Sequence, residues 1–343
     1  MSRKMASLRT VDSVSAMKNA DRLEVARVGG WNVVVPKGEF SAGDTVVYFE
    51  IDSFLPESVP AFESFQKRGQ KKFLVDGEEI SGHVLKTIKL RGIISQGLIL
   101  STDALGINTD DYALGDDVSE VLGVLKYDVE KPAHGDIIGS FDARFAPKTD
   151  AERAQNLSAV WEDIKELEWE ATVKADGTSQ TIFFDSQEDR LRIFGRNWEL
   201  AEQTEGMRVA QRDGIADFCA ENPDTVVQFE LSGEGINGNR QKISGRRAFV
   251  FAVWAQGVKV PREQWDQRLL DSAAPLLDIK PEGDLEDFIA SVSGIRGYIT
   301  KDILDEGVVF HLTGEQSSQL PVWMDRNANF KIISDKYILK HGL

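Results

Sequence analysis

Cysteine occurs once, at Cys219, in a chain of 343 residues. That excludes an intrachain disulfide and a cysteine-based zinc site, and it fits a reducing compartment, so a cytoplasmic location is expected. Histidine is scarce too: His83, His134, His311 and His341 are scattered, with no metal-ligand spacing. No apolar run approaches the roughly 20 residues that a membrane-spanning helix needs. The longest, AFVFAVWA at 248–255, is strand-sized. MSRKMASLRTVDS at the start lacks the apolar core of a signal peptide, so no membrane partner is expected. Basic residues are in deficit, with 40 Lys and Arg against 56 Asp and Glu and a formal net charge of −16. This balance excludes a basic nucleic-acid coat and an electrostatic membrane binder, but not a local nucleic-acid site. Residues 1–150 carry 18 basic and 23 acidic side chains, net −5, and the remainder 22 and 33, net −11. Any polynucleotide contact therefore has to come from short clusters.

Several motifs are missing as well. The chain has no G-x-S-x-G and no G-x-x-x-x-G-K-[ST] phosphate loop. Gly233-Glu234-Gly235-Ile236-Asn237-Gly238 is formally G-x-G-x-x-G, but it runs into NRQKISGRR, a poor helix start. No acidic residue follows at 255–262, so it reads as a tight turn rather than a dinucleotide fingerprint. Cys219 lies in the apolar pattern IADFCA and reads as a structural thiol.

The length fits two domains at about 150 residues each. Residues 1–125 are β-rich, with VARV, WNVVV, TVVYFEI and QGLIL punctuated by Gly, Pro and Asp; this predicts a small barrel or sandwich. Residues 126–148 lack periodicity and are expected to connect the domains. Residues 149–343 predict an α+β domain. Thr149 and Asp150 are expected to cap a helix carrying Leu157, Val160, Trp161 and Ile164, and further helices are expected at 201–220 and near 263–291. The strand-like segments are WEATVKA, QTIFFD, LRIFGR, TVVQFEL, AFVFAVW, EGVVFHL and NFKIISDK.

Within this second domain, polar residues sit at strand ends. Lys174 closes WEATVK, and Asp176 and Gly177 are expected to make a hairpin into QTIFF with Lys174 at its lip. Arg196 ends LRIFGRN, Glu230 sits inside VVQFEL, Glu306 precedes GVVF, and Lys331 follows Phe330. Singly, each reads as a salt-bridged or solvated group, although an acidic residue inside an apolar strand asks for a partner.

In order and setting these segments resemble the covalent nucleotidyltransferases, the superfamily of ATP-dependent DNA ligases, RNA ligases and mRNA capping enzymes. KADG is similar to the nucleotidyl-lysine motif, FGRN to the arginine motif and FELSGEG to the third motif. AFVFAVW is similar to the aromatic strand beside it, DEGVVF to the fourth motif and NFKIISDK to the fifth. Ser179, FELSGEGINGN and FAPKTDAERAQN resemble RNA ligases best, and the β-rich module in front resembles the nick-sealing type with an N-terminal OB domain. The chain ends about a dozen residues after Lys331, where DNA ligases carry a further OB domain. In many members the fifth motif is Lys-x-Lys; here Ile333 takes the second place, so Lys336 or Lys340 is the remaining candidate for that charge.

The resemblance implies an N-terminal all-β OB-like barrel plus a C-terminal α+β nucleotidyltransferase (ligase adenylation) domain. It also implies an ATP-dependent RNA ligase that seals 3′-OH/5′-phosphate breaks through lysyl-AMP, in RNA repair. ATP and Mg²⁺ or Mn²⁺ are the expected cofactors. The expected partner is nicked or broken RNA in an RNA–RNA or RNA–DNA duplex, bound by a monomer. Lys174 is the implied nucleophile, with its pKa expected to be depressed. Asp176 and Glu306 are implied to hold the metal, Arg196 and Lys331 to bind phosphate, Gly177 to shape the nucleotide site, Glu230 to bind the ribose and Phe251 to stack on adenine. For Trp254, core packing is expected. The basic clusters at 67–72, 86–91 and 240–247 are the expected polynucleotide contacts. A DNA ligase, a capping-type enzyme and a non-catalytic OB-containing RNA-binding protein are the alternatives.

Overall fold

Alternation of apolar and polar residues sets the strands of the N-terminal part. In the computed structural model β1 (Ala6–Thr10), β2 (Ser13–Ala16), β3 (Leu23–Val28), β4 (Trp31–Pro36), β5 (Thr45–Phe49) and β6 (Ser53–Pro56) follow in close succession. After them come β7 (Lys71–Val75), β8 (Glu78–Val84), β9 (Ile88–Leu90), β10 (Ile93–Ser95), β11 (Leu98–Ser101) and β12 (Leu125–Lys126). The described residues are 3–18, 20–75, 78–127, 136–143, 146–313 and 328–343. Trp31, Val33 and Val35 of β4 face inward. The two-residue turn Gly29-Gly30 joins β4 to β3, with Gly29 at φ 58°. β5 pairs with both β1 and β11 and divides its faces between two clusters. Val47 and Phe49 join Leu8, Leu55 and Phe62, whereas Val46 and Tyr48 join Val28, Trp31 and Ile99. The N-terminal unit is thus all-β apart from short helical turns.

The chain divides into two compact units. The first is Met1–Val129 with Gln155–Ala159 and Ile338–Leu343, and the second is Glu130–Ala154 with Val160–Tyr337. Segment 155–159 joins the first unit through Asn156, which accepts from Trp31 Nε1 at 2.8 Å and donates to Glu50 at 2.9 Å.

The second unit is built on two sheets. The larger has the order β13-β18-β17-β16-β19-β20-β21, comprising β13 (Ile137–Ser140), β16 (Thr178–Asp185), β17 (Arg190–Phe194), β18 (Trp198–Leu200), β19 (Thr225–Gly233), β20 (Arg246–Ala255) and β21 (Val258–Lys259). The smaller has the order β14-β24-β23-β15-β22, comprising β14 (Glu152–Arg153), β15 (Trp169–Lys174), β22 (Leu276–Leu277), β23 (Gly307–Leu312) and β24 (Asn329–Ile333). The segment 126–148, expected as a connection, contributes β13 to the larger sheet. Residues 128–135 and 144–145, with His134 and Phe145, lie outside the described residues.

Three expected helices take other forms. The stretch after Thr149 is a 3₁₀ turn over Ala154–Val160 followed by one α-turn at Trp161–Ile164. Glu152 and Arg153 are drawn into parallel pairing with β24, and Thr149 and Asp150 spend their side chains on Ser179 and Arg196 rather than on a cap. The stretch 201–220 is two helices, Glu205–Arg212 and Ile215–Glu221, broken at Gly214 with φ 74°. Residues 263–291 give only Gln267–Asp271 and Leu285–Val292 as α-helices. Met207, Ala210, Ile215 and Cys219 of the Glu205–Glu221 pair pack on Ile182, Val227 and Phe229 of the larger sheet. Among the described residues no helix is long and apolar enough to cross a membrane.

Cys219 is fully buried in this cluster, and burial pushes its thiol up to about 12. The native protein is expected to leave a maleimide unreacted at pH 7, with one thiol appearing across the urea unfolding transition. Rapid labelling without denaturant would contradict the packing.

Candidate active site

The KADG turn is not a hairpin. β15 ends at Lys174 in the smaller sheet, paired with β23, whereas β16 begins at Thr178 in the larger sheet, paired with β17 and β19. Residues 175–177 therefore carry the chain from one sheet to the other. Gly177 is required by space: a Cβ there would stand 2.2 Å from Leu231 O and 2.3 Å from Ser232 Oγ. Its neighbours on that side are largely backbone, which cannot swing away. Gly177→Ala is expected to cost about 1–3 kcal/mol of stability, as overpacking does, and to lower the urea midpoint. An unchanged midpoint would show that the turn relaxes without penalty.

Strand register then brings the charged residues together. Lys174 pairs with Gly307, next to Glu306, and its Nζ donates to Glu306 Oε2 at 2.7 Å. Glu230 lies on β19 opposite Ser179, and its carboxyl accepts from the backbone N–H of Gly177. Lys331 lies on β24 opposite Val309 and acts electrostatically on Glu306. Burial works to lower the Lys174 pKa, but the carboxylates of Glu306, Glu230 and Asp176 outweigh it and hold the ammonium above the ordinary lysine value. From the protein's own groups alone, the acidic side chains around the amine thus outweigh burial, a direction opposite to the depression expected with a bound cation. Burial raises Glu306, with Lys174 opposing, and pushes Glu230 up to about 8.

Asp176 is enclosed by donors. Its Oδ2 accepts from Tyr337 Oη at 2.6 Å and Arg240 Nη1 at 2.8 Å, and its Oδ1 from Asn237 Nδ2 at 3.2 Å. Gln241 accepts from the backbone N–H of Asp176 at 2.8 Å and donates to Lys174 O at 3.2 Å. Asn237 also donates to Gly177 O. The glycine-rich segment is a tight turn, as expected, with positive φ at Gly233, Gly235, Asn237 and Gly238. Its task is to hold the lysine turn in shape.

Sequence reasoning missed Arg240, Gln241 and Tyr337 as parts of this site. The available signal was a polar run directly after the strand of Glu230, and a tyrosine just beyond the motif of Lys331. Within the cluster 240–247, Arg240 is committed to Asp176 and Arg246 to Glu205 and Glu234 O.

The remaining expected residues are less tightly gathered. Arg196 Nη2 donates to both oxygens of Asp150, at 2.5 and 2.7 Å. Phe251 sits half-buried at the irregularity where β20 slips against β19, beside the cluster of Phe183, Phe194 and Trp254. Trp254 is buried and donates to Gln228 Oε1 at 2.9 Å, the packing role expected of it. The Lys336 ammonium is directed at Gly294, and Lys340 belongs to the first unit. Among the described residues no three His, Cys, Asp or Glu side chains converge to ligate a metal directly. A divalent cation fits this donor set only as a largely hydrated ion, with Glu306 as a hard ligand and Asp176 acting through water, since its oxygens already serve three protein donors.

An RNA ligase family model matches residues 167–328, and an OB-fold domain model matches residues 5–102. Comparison with the curated proteins finds no match. Among solved structures, Naegleria gruberi RNA ligase with PPi is similar at TM-score 0.85 and 31% identity, with 99% of each chain covered. A mutant of that enzyme with ATP and Mn gives the same TM-score, identity and coverage. Another, with AMP and Mn, gives TM-score 0.84 and 32% identity, again with 99% of each chain covered.

Proposed function

The chain belongs to the RNA ligase family, and we propose that it uses ATP to seal 3′-OH/5′-phosphate breaks in RNA through a covalent lysyl-AMP on Lys174. The observation that carries this reading is the 2.7 Å pairing of Lys174 with Glu306 at the mouth of a sheet-to-sheet turn, with Glu230, Asp176 and Lys331 around it.

In the first step the Lys174 amine attacks the α-phosphorus of ATP; an N–P bond forms and pyrophosphate leaves. AMP then passes from the lysine to the 5′-phosphate at the break, and the 3′-hydroxyl displaces AMP as the phosphodiester forms. Lys174 must shed its proton before it attacks, and the protein holds that proton at Nζ through Glu306. Lys331 offers fixed positive charge to the phosphoryl oxygens. Arg196 does the same once its exposed pairing with Asp150 is exchanged for phosphate. Glu230 receives the ribose hydroxyls and Phe251 one face of the base. Mg²⁺ or Mn²⁺, when bound at Glu306 with Asp176 acting through water, supplies charge that offsets the phosphates and the carboxylates around Lys174. The Asp176 network of Tyr337, Arg240 and Asn237 holds the turn that carries the nucleophile.

The OB unit is the proposed grip on the duplex. Its basic clusters are partly neutralised, with Lys67 near Glu63 at 3.4 Å and Lys72 against Glu79 at 2.6 Å. With an acidic chain behind them, affinity for intact duplex is expected to be modest and to fall steeply with salt. The test uses nicked duplexes whose 3′ end is ribose or deoxyribose, with ATP or GTP and Mg²⁺. Sealing of the ribose end with ATP is expected, with little from GTP. Equal sealing of both ends would reject RNA specificity, and a folded, AMP-free protein that takes no label from ATP would reject the lysyl-AMP route.

A further inference from the structure

Lys259, His311, Glu170 and Arg262 form a cluster of titratable side chains that the phosphate chemistry leaves without a role. They line a recess of about 350 Å³ that also includes Phe251 and Trp254. Its place follows from strand register. Lys174, Thr172 and Glu170 alternate onto one face of β15, opposite Gly307, Val309 and His311 of β23. The recess therefore continues the sheet face that carries the nucleophile, roughly 14 Å along the strand at about 3.4 Å per residue. Phe251, the ring proposed to stack on the base, forms one of its walls.

The polar groups in the recess form a chain. His311 is buried, with Nε2 3.3 Å from Thr172 Oγ1 and Nδ1 3.4 Å from Lys259 Nζ. Burial, aided by Lys259 and Arg262, keeps the imidazole well below its ordinary pKa and neutral. A charged Lys259 can only donate, so Nδ1 is the acceptor and Nε2–H faces Thr172. Arg262 donates to Ala274 O at 2.9 Å and lies over Trp265 at 5.4 Å, while its buried Nη1 stands 3.9 Å from Glu170 Oε1 and makes no hydrogen bond among the described residues. Lys259 has one hydrogen-bond partner among the described residues, a neutral imidazole, and burial pushes its ammonium down to about 8 against the pull of Glu170. A desolvated ammonium so weakly satisfied is costly to keep unless a ligand completes it.

We propose that Lys259, aimed by His311, reads the edge of the nucleotide's purine base, donating to a ring nitrogen while Glu170 accepts from the neighbouring exocyclic amine. Adenine presents an acceptor nitrogen beside an amine, whereas guanine presents a carbonyl where that amine would be and so faces Glu170 with like polarity. Lys259 is then a specificity residue some distance from the reacting phosphorus. This inference rests on the reading of Lys174 as the nucleotide-accepting lysine.

Single-turnover labelling of the full chain across a range of α-labelled ATP concentrations tests it. Lys259→Met is expected to raise the ATP concentration at half-maximal rate by about ten- to a hundredfold, the range for losing a charged hydrogen bond. The maximal rate should stay within about twofold. Lys259→Met removes a desolvated charge and leaves a similar stem, so it is not expected to destabilise the fold. An independent measurement uses unmodified protein: 1-deaza-ATP or 7-deaza-ATP, whichever lacks the recognised nitrogen, should bind worse than ATP to the native enzyme but no worse to Lys259→Met. Unchanged half-saturation in the variant, or equal binding of both analogues and ATP by the native enzyme, overturns the inference. Native protein that takes no label at all rejects the lysyl-AMP reading instead, so the two failures are separable.

Discussion

Lys174→Ala protein incubated with α-labelled ATP and a divalent cation is expected to carry no covalent label, against near-stoichiometric labelling of the native chain. The loss should be complete rather than partial, because the amine is consumed in the bond that forms and no neighbouring group replaces it. Glu306 is a carboxylate, and Lys331 sits on a different strand, opposite Val309. Lys174→Arg is expected to be equally dead: guanidinium keeps its proton throughout the accessible pH range and offers no lone pair. Both variants should still bind ATP, since the base and ribose contacts proposed for Phe251, Lys259 and Glu230 are untouched. Retained binding with lost labelling identifies a nucleophile; loss of both would indicate a merely structural lysine. The label on native protein should survive alkali and be released by acid, as a phosphoramidate is. Label that appears on Lys174→Ala protein would sink the assignment.

What could be read from the sequence was whatever is local. Alternation in WNVVVP and the apolar run of TVVQFEL showed strands because a two-residue period is written in consecutive residues. The order KADG, FELSGEG, DEGVVF and NFKII pointed to residues that the fold gathers around Lys174, because each motif is contiguous. Partnership between strands was not legible. A lysine strand followed by Asp-Gly and another strand reads as a hairpin, yet β15 and β16 belong to different sheets, and only long-range pairing with β23 and β19 decides this. Helix caps were misread for the same reason: Thr149 and Asp150 have capping side chains, but Ser179 and Arg196 claim them across the fold. Tyr337, Arg240 and Gln241 were missed as site residues because they reach Asp176 or its turn over 161, 64 and 65 residues of sequence. The sign of the Lys174 shift also lay beyond sequence. Burial alone lowers a lysine, and counting the carboxylates around it requires the assembled site.

Glu306→Gln is expected to move two readouts in opposite directions. Glutamine keeps the size and one acceptor but removes the negative charge that holds the Lys174 proton, so the lysine pKa falls toward its ordinary range. For an amine, a lower pKa means more free base at a given pH. Without metal, at pH 8, reaction of Lys174 with a small neutral electrophile should therefore quicken, by about tenfold for each unit the pKa drops. Lysine adenylylation with Mg²⁺ should instead fall by about a hundredfold or more, as losing a metal-binding carboxylate and its electrostatic support does. The stability linkage has a definite sign as well. A lysine raised in the folded state contributes stability that is complete below its unfolded pKa and is lost as pH rises through the folded value. Native protein should accordingly lose stability on the alkaline side of the ordinary lysine pKa, and Glu306→Gln should lose less there. Quantifying electrophile labelling at Lys174 by peptide mass spectrometry, beside single-turnover adenylylation and urea melts at pH 8 and above 10.5, the ordinary lysine value, separates the outcomes. If both reactions slow together, Glu306 supports the shape of the site rather than its charge. If electrophile labelling stays level while adenylylation falls, the carboxylate serves the cation alone and the proton on Lys174 is held by Glu230 and Asp176.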